Sequence, residues 1–446
     1  MMQIQIPWQC REILERFSQH HLQAYLVGGC VRDSLLGKQP KDWDICTEAL
    51  PEQVVEFFKA DKVILTGLQH GTVTVLLGGL AVEITTFRID GEYEDNRHPK
   101  EVFFTSDLQK DLSRRDFTIN ALAYHPQTGI VDDFDGISDL QQGIIRCVGD
   151  AASRYQEDGL RIMRAVRFAC VLNFQFEQET EAAIGQYSYL LEQIARERIQ
   201  VELDKILTSS WAAYGLQTLA RLHCLPYFLP ELEQAFIFEQ TSGHTVFSHT
   251  AKAVALVPDT IVLRLAALLH DIGKPVIWQT HAGEPLFSGY ESVSVQLTET
   301  ILERLRYDKK TINQVKILVE NHTRVLKPDV VWMRKAVADL GPASVAQLLE
   351  LQRADILAAD NSEQTAFLQE LDAAKQILQQ IIENDDCCSL KQLAVSGRDL
   401  TAMGFKGKQV GEMLAQLLQM VLEQPERNER EFLLQKAKEE WTCKNN

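Results

Sequence analysis

Two aspartates one residue apart, Asp42-Trp43-Asp44-Ile45, follow thirteen residues behind a pair of glycines, Gly28-Gly29. In a strand, residues two apart project to the same face, so Asp42 and Asp44 converge on one side. Two carboxylates facing together repel unless cations sit between them, which makes them natural ligands for Mg2+. Such pairs hold the two ions that activate an attacking hydroxyl and stabilise a leaving pyrophosphate. A third carboxylate, Glu83, lies in the apolar run Ala81 to Thr86. Gly28 and Gly29 carry no Cβ, so their amides can come close to a phosphate, and the helix-like stretch behind them adds a favourable field. On local grounds each signal keeps a plain alternative: a solvated turn for Asp-x-Asp, and an ordinary turn for the glycines.

Together, Gly28-Gly29-Cys30-Val31-Arg32-Asp33 and Asp42-Trp43-Asp44-Ile45-Cys46-Thr47 resemble the signature of the DNA polymerase β nucleotidyltransferase superfamily. Within it they look like the class II tRNA nucleotidyltransferases, the CCA-adding enzymes, and their relatives the bacterial poly(A) polymerases. Arg114-Arg115-Asp116-Phe117-Thr118-Ile119-Asn120-Ala121 resembles the second motif of that family, which implies contacts to the sugar and triphosphate of a nucleotide. Arg114 and Arg115 offer planar donor forks suited to phosphate, while Asp116 and Asn120 can fix a ribose.

Glu157-Asp158-Gly159-Leu160-Arg161 resembles the Glu-Asp-x-x-Arg motif, and the match runs on through Arg164 and Arg167. Arg32, Arg164 and Arg167 are carried over with it as nucleotide contacts. Placed on one helix, Asp158 and Arg161 are three apart and share a face. The resemblance implies that they imitate a Watson–Crick partner. Cytosine and adenine each present an amino donor beside a ring-nitrogen acceptor, which suits a carboxylate next to a guanidinium. Uracil and guanine reverse both polarities and leave groups unpaired, which a polar site rejects by large factors. The segment Asp90 to Glu101 is polar and lacks a core-facing pattern, so it reads as a mobile loop. It resembles the flexible loop of family members that add the terminal A.

Further along, Leu268-Leu269-His270-Asp271-Ile272-Gly273-Lys274-Pro275 resembles the core string of an HD-type phosphohydrolase domain. The resemblance makes His249, His270, Asp271 and Asp355 metal ligands, with His322 a further candidate. A histidine and carboxylate set suits a transition metal and an activated water. The chain has Gly289-Tyr290-Glu291 where Gly-His-Glu is expected, which removes one ligand of a binuclear set. A mononuclear set, or a helical scaffold that only positions tRNA, remains. Lys406 and Lys408, among glycines ahead of an apolar run, are candidates for a backbone phosphate.

The elements that must carry these groups fall into two patterns. Over residues 1–145, short β-branched runs between turn signals read as an α/β head with a small mixed sheet. Its strands are Ala24 to Val27, Trp43 to Cys46, Val63 to Leu65, Thr72 to Leu77 and Ala81 to Thr86, with a hairpin at Gly78-Gly79. From about Ala151 onward the periodicity is helical. The expected domains are the nucleotidyltransferase head at 1–145, a helical neck at 146–222, an HD-like body at 223–382 and a tail at 383–446. A length of 446 residues suits roughly three or four domains.

A hydrophobic fraction of 45% excludes global disorder. The run Ile261 to Leu269, interrupted by Arg264, is too short to span a bilayer. The first residues lack the features of an export signal. Nine cysteines without a C-x-x-C pattern suit reduced thiols in a cytoplasm. The net charge of −17 argues against a chain coated in nucleic acid, but a local basic stripe still permits RNA as substrate. The implied activity is template-independent addition or repair of the tRNA 3′-terminal CCA from CTP and ATP with two Mg2+ ions. The body and tail would hold the acceptor and T arms. An A-adding enzyme, a poly(A) polymerase and an HD-type phosphohydrolase are the alternatives. Nothing in the sequence sets an oligomeric state.

Overall fold

The structure, a computed structural model, describes residues 4–91, 102–241, 244–277, 279–281, 284–286, 289–359 and 364–445. Most of the loop expected between Asp90 and Glu101 lies outside these residues. The chain forms two compact units, Met1–Glu233 and Gln234–Asn446.

The first unit opens with α1 (Trp8–Gln19), β1 (Ala24–Val27), α2 (Gly29–Leu35), β2 (Trp43–Thr47) and α3 (Pro51–Phe57). Strands β3 (Lys62–Ile64), β4 (Thr72–Leu77) and β5 (Leu80–Thr86) follow, then a ribbon of β6 (Arg88–Asp90) and β7 (Val102–Phe104). After α4 (Leu108–Ser113) come β8 (Ala123–His125) and β9 (Gly129–Val131). Seven strands form one mixed sheet in the order β3-β4-β5-β2-β1-β8-β9, in which β2 and β5 run parallel. The Gly78-Gly79 turn joins β4 to β5 with φ of 52° and 83°, a double positive-φ geometry that glycine adopts without strain.

Strand alternation sorts the two faces of the sheet. Leu26, Ile45, Val73, Val75, Val82 and Ile84 pack in one core with Ile13, Leu14 and Phe17 of α1 and Val54 of α3. On the other face Val27, Cys46, Ala121 and Ala123 join Phe87 and Leu112 in a smaller core. That second face also carries Asp44 and Glu83, which stand opposite each other in the parallel β2·β5 register. Asp42 precedes β2 rather than lying in it, so the strand argument for an Asp42–Asp44 pair applies to Asp44 alone.

A helical part of the same unit follows: α5 (Gly136–Gln142), α6 (Ala151–Glu157), α7 (Leu160–Leu172), α8 (Gln178–Tyr187), α9 (Arg196–Leu207) and α10 (Ala212–Arg221). Asp158 does not belong to the α7 helix. It caps the C-terminus of α6 with extended φ/ψ of −144° and 104°, and α7 starts after Gly159. A Cβ on Gly159 would sit 2.9 Å from that of Leu190, so this tight approach needs glycine. Asp158 and Arg161 are therefore neighbours across a helix break, a correction to the shared helical face.

Among its described residues, the second unit is helical apart from two short ribbons, Glu239–Thr241 with His244–Thr245 and Gln279–His281 with Glu284–Leu286. The helices Val246–Leu256, Ile261–Leu269, Lys309–Asn321 and Pro342–Ala358 pack around the HD-like string. Near the C-terminus the helix Lys408–Glu423 packs with Arg430–Asn445, burying Met413, Leu417, Leu433 and Ala437 in a separate core. Lys406 and Lys408 are exposed at the start of the first of these. Among the described residues, no helix is long and apolar enough to cross a membrane.

Candidate active site and a second cluster

On the open face of the sheet, three carboxylates act on one another. Burial is the first cause that pushes the Asp44 carboxyl up to about 6; Glu83 and Asp42 push in the same direction, while Arg115 opposes them. A carboxylate raised by burial and then by like-charged neighbours is short of positive charge, and divalent cations are the fitting remedy. Asp42, Asp44 and Glu83 offer oxygen ligands only, which suits Mg2+.

Arg115 reaches this group because Gly28 leaves room. Gly28 has φ of 75° and ψ of −129°, and a Cβ there would lie 3.1 Å from the Arg115 guanidinium. Both arginines of the pair turn on a buried acid that sequence reading did not single out. Asp111 takes two bonds from Arg114, at 3.0 and 2.8 Å, and one from Arg115 at 3.4 Å. Burial raises the Asp111 carboxyl, yet the two guanidiniums hold it below the usual range.

A second chain of polar contacts ties α2 to α7. Arg32 donates to Asn120 at 2.6 Å, Asn120 donates to Asp116 at 3.0 Å, and Arg164 donates to Asp116 at 2.7 Å. Asp116 also accepts from the Phe117 amide at 2.9 Å. Against its burial, Arg164 and Asn120 hold the Asp116 carboxyl far below the ordinary carboxylate range. The guanidiniums of Arg32, Arg164 and Arg167 surround the Phe168 ring at 4.9, 5.5 and 3.8 Å from its centroid. Glu202 of α9 binds Arg167.

The base-reading candidates are held separately. Arg161 donates to Glu157 at 2.5 Å and to the backbone carbonyls of Arg154 and Arg114 at 3.0 and 2.9 Å. Asp158 receives a two-pronged contact from Arg198 of α9, at 3.3 and 2.8 Å. The Asp158–Arg161 pair is thus not a simple intrahelical ion pair. Arg198, like Asp111 and Glu202, gave no signal that could be read from local spacing. Within the first unit, contacts join Arg32, Asn120, Asp116 and Arg164 in one chain, set Arg115 beside Gly28, pair Asp44 with Glu83 across the strands, and tie Arg161 to the Arg114 carbonyl, while Asp42 lies just ahead of β2.

The second unit gathers its own candidates. One ligand atom from each of His249, His270 and Asp355 lies within 4.8 Å of the others. His249 Nε2 is 2.7 Å from Asp355 Oδ1, and His270 Nε2 lies 3.4 Å from Asp271 Oδ2. Burial pulls the His270 imidazole down, but Asp271 and Asp355 outweigh it and push it up to about 10. That raised value marks a place that needs a cation, and a proton is one way to meet the need. His322 stands at the edge, hydrogen-bonded to the Tyr290 hydroxyl at 2.6 Å.

A polymerase-like head presenting carboxylates and paired arginines, with a helical neck holding an Asp and an Arg, defines a nucleotidyltransferase. The family model for the poly A polymerase head domain matches residues 24–146. The models for an RNA- and SrmB-binding site of polymerase A and for tRNA nucleotidyltransferase domain 2 match residues 173–236 and 291–437. The CCA-adding enzyme of Enterococcus faecalis is 32% identical over 430 residues, covering 96% of this chain and 95% of that protein. That of Bacillus cytotoxicus is 47% identical over 219 residues, which cover 48% of this chain and 54% of the relative. A crystal structure of the Bacillus stearothermophilus CCA-adding enzyme in complex with CTP superposes with a TM-score of 0.76 at 28% identity, over 99% of both chains. The chain belongs to the family of CCA-adding enzymes.

Proposed function

We propose that this chain adds or repairs the 3′-terminal CCA of tRNA without a nucleic-acid template, using CTP and ATP. The observation that carries the reading is the crowding of Asp44 by Glu83 and Asp42 beside Arg115, in a chain related along its length to a CCA-adding enzyme. Two Mg2+ ions on Asp42 and Asp44, with Glu83 beside them, would supply activation of the primer hydroxyl and neutralisation of the leaving pyrophosphate. Gly28 and Gly29 let backbone amides approach the triphosphate, and Arg32, Arg114 and Arg115 supply positive charge to it. Asp116 and Asn120 lock each other and so fix where a ribose can be held. Asp158 accepts from the amino group of cytosine or adenine, and Arg161 donates to the ring nitrogen. The primer 3′ oxygen attacks the α-phosphorus of CTP or ATP and pyrophosphate leaves. Positioning and charge neutralisation by these side chains account for most of the rate.

The domain reading is a head at 1–145, a neck at 146–222, a body at 223–382 and a tail at 383–446, the last two holding the acceptor and T arms. In the body, His249, His270, Asp271 and Asp355 form a metal centre. A cytoplasmic location suits the eight free thiols buried among the described residues, from Cys10 to Cys388.

Primer extension tests the reading on tRNA transcripts lacking CCA or ending in C or C-C, with single and paired nucleotides. Two C additions, then one A and a stop, abolished in Asp42→Ala, are expected. A long A ladder would make the chain a poly(A) polymerase. Extension of the C-C primer alone would make it an A-adding enzyme.

A further inference from the structure

We infer that the cluster in the second unit is built for a single divalent transition-metal ion, with Tyr290 closing the place a second ion would need. This rests on the reading that the cluster binds metal at all.

The need for one cation follows from how the groups face each other. His270 Nδ1 lies 2.8 Å from the Ala267 carbonyl, which can only accept, so Nδ1 carries the proton and Nε2 presents a lone pair. That Nε2 is buried and makes no hydrogen bond, although Asp355 Oδ1 is 3.2 Å away and Asp271 Oδ2 3.4 Å away. A lone pair pressed against two carboxylate oxygens is repulsive unless a positive charge lies among them. Asp271 Oδ1 is likewise buried without a hydrogen-bond partner. Fixing one imidazole nitrogen on a backbone carbonyl while the other faces carboxylates is the arrangement that orients a metal-ligating histidine. His249 Nε2, 2.7 Å from Asp355 Oδ1, completes a mixed nitrogen and oxygen set that suits a first-row transition metal.

The limit of one follows from the remaining groups. A second ion would need further ligands, and His322 is the other imidazole beside Asp271, with its Nε2 3.7 Å from Asp271 Oδ1. Both His322 nitrogens are already used. Nδ1 donates to the Val319 carbonyl at 2.7 Å, and Nε2 accepts from the buried Tyr290 hydroxyl at 2.6 Å. The Lys274 ammonium binds Asp271 Oδ2 at 2.5 Å, the oxygen that faces His270 rather than His322, so its charge bears on the first position and the closure of the second rests on Tyr290.

The test titrates full-length, metal-stripped protein with Co2+ in excess Mg2+, which occupies the oxygen-only ligands of the head. Bound cobalt is counted by plasma mass spectrometry after gel filtration, and the visible ligand-field bands report nitrogen ligation. One Co2+ per chain is expected, lost in His270→Ala and in His249→Gln, with folding checked by circular dichroism. Tyr290→His is expected to take a second ion. Two ions in the unaltered chain, or one ion in Tyr290→His, would overturn the assignment of Tyr290 as the closure. No cobalt in the unaltered chain would instead overturn the metal reading itself and leave a proton as the shared cation. An ion retained in a folded His249→Gln chain would place it elsewhere and overturn both.

Discussion

Removing Arg198 should loosen nucleotide choice before it loosens the fold. Its two contacts to Asp158, at 3.3 and 2.8 Å, supply most of what holds that carboxylate at the break between α6 and α7. What remains is the Leu160 amide, which donates to Asp158 Oδ1 at 3.0 Å. Hydrogen bonds to charged groups contribute about 1.5–3 kcal/mol. Roughly a fifth of each side chain is exposed, 24% for Arg198 and 18% for Asp158, so screening reduces the sum to about 1–2 kcal/mol. Referred to the transition state, that is roughly 5–30-fold. In Arg198→Ala, kcat/KM for CTP and ATP should fall about tenfold, while a mobile Asp158 lets UTP gain relative to CTP. Arg198→Lys restores charge without the fork and should recover only part of the loss. Single-turnover incorporation on tRNA lacking CCA, with each nucleotide alone, reads both numbers. If the CTP-to-UTP ratio is unchanged while the melting temperature drops, Arg198 is a strut between α9 and α6 and the reasoning fails.

Other consequences can be checked with the same protein. Because burial and then Glu83 hold Asp44 at about 6, Mn2+ affinity of the head should weaken as pH falls through that value. In Glu83→Gln the weakening should begin at lower pH, as a Mn2+ titration monitored by electron paramagnetic resonance would show. Asp44→Ala should reduce single-C addition by at least about 10²–10³-fold, the scale on which removal of one group stabilising transition-state charge is felt, with little change in the melting temperature. Asp116 titrates well below an unfolded carboxylate, so its contribution to stability is complete above about pH 5 and is lost as the pH falls below that. Urea midpoints of Asp116→Asn should therefore be lower than those of the unaltered chain at neutral pH and converge with them in acid. Gly28→Ala places a side chain at φ 75° and 3.1 Å from the Arg115 guanidinium, at a strain of about 1–3 kcal/mol. Its KM for CTP should rise, and an unchanged KM would show that the approach of Arg115 does not matter.

The division between what was legible in the sequence and what was not follows from the range over which each constraint acts. The extent of β4, the Gly78-Gly79 hairpin and the strand carrying Glu83 depend on alternation and turn chemistry within a few residues, so spacing alone places them. Phosphate and metal chemistry admits few residue types, which is why Asp44, Arg115 and Asn120 could be singled out from their motifs; the structure sets Asp44 opposite Glu83, Arg115 beside Gly28, and Asn120 between Arg32 and Asp116. The groups that hold them in place carry no such signature. Arg198 lies 40 positions from Asp158, and Arg161 is aimed partly by the backbone carbonyls of Arg114 and Arg154, which any residue could provide. Asp111 lies close to the arginines it binds, yet an acid three residues ahead of an arginine reads first as a solvated helix pair, and only its complete burial shows otherwise. The helix break at Asp158 did have a local cue in Gly159, whose lack of a Cβ permits the close approach to Leu190. Reading Asp158 and Arg161 on one helical face let the motif's spacing override that glycine. The break matters chemically. An intrahelical pair three residues apart would satisfy itself, whereas separating the two lets Arg198 take Asp158 and Glu157 take Arg161.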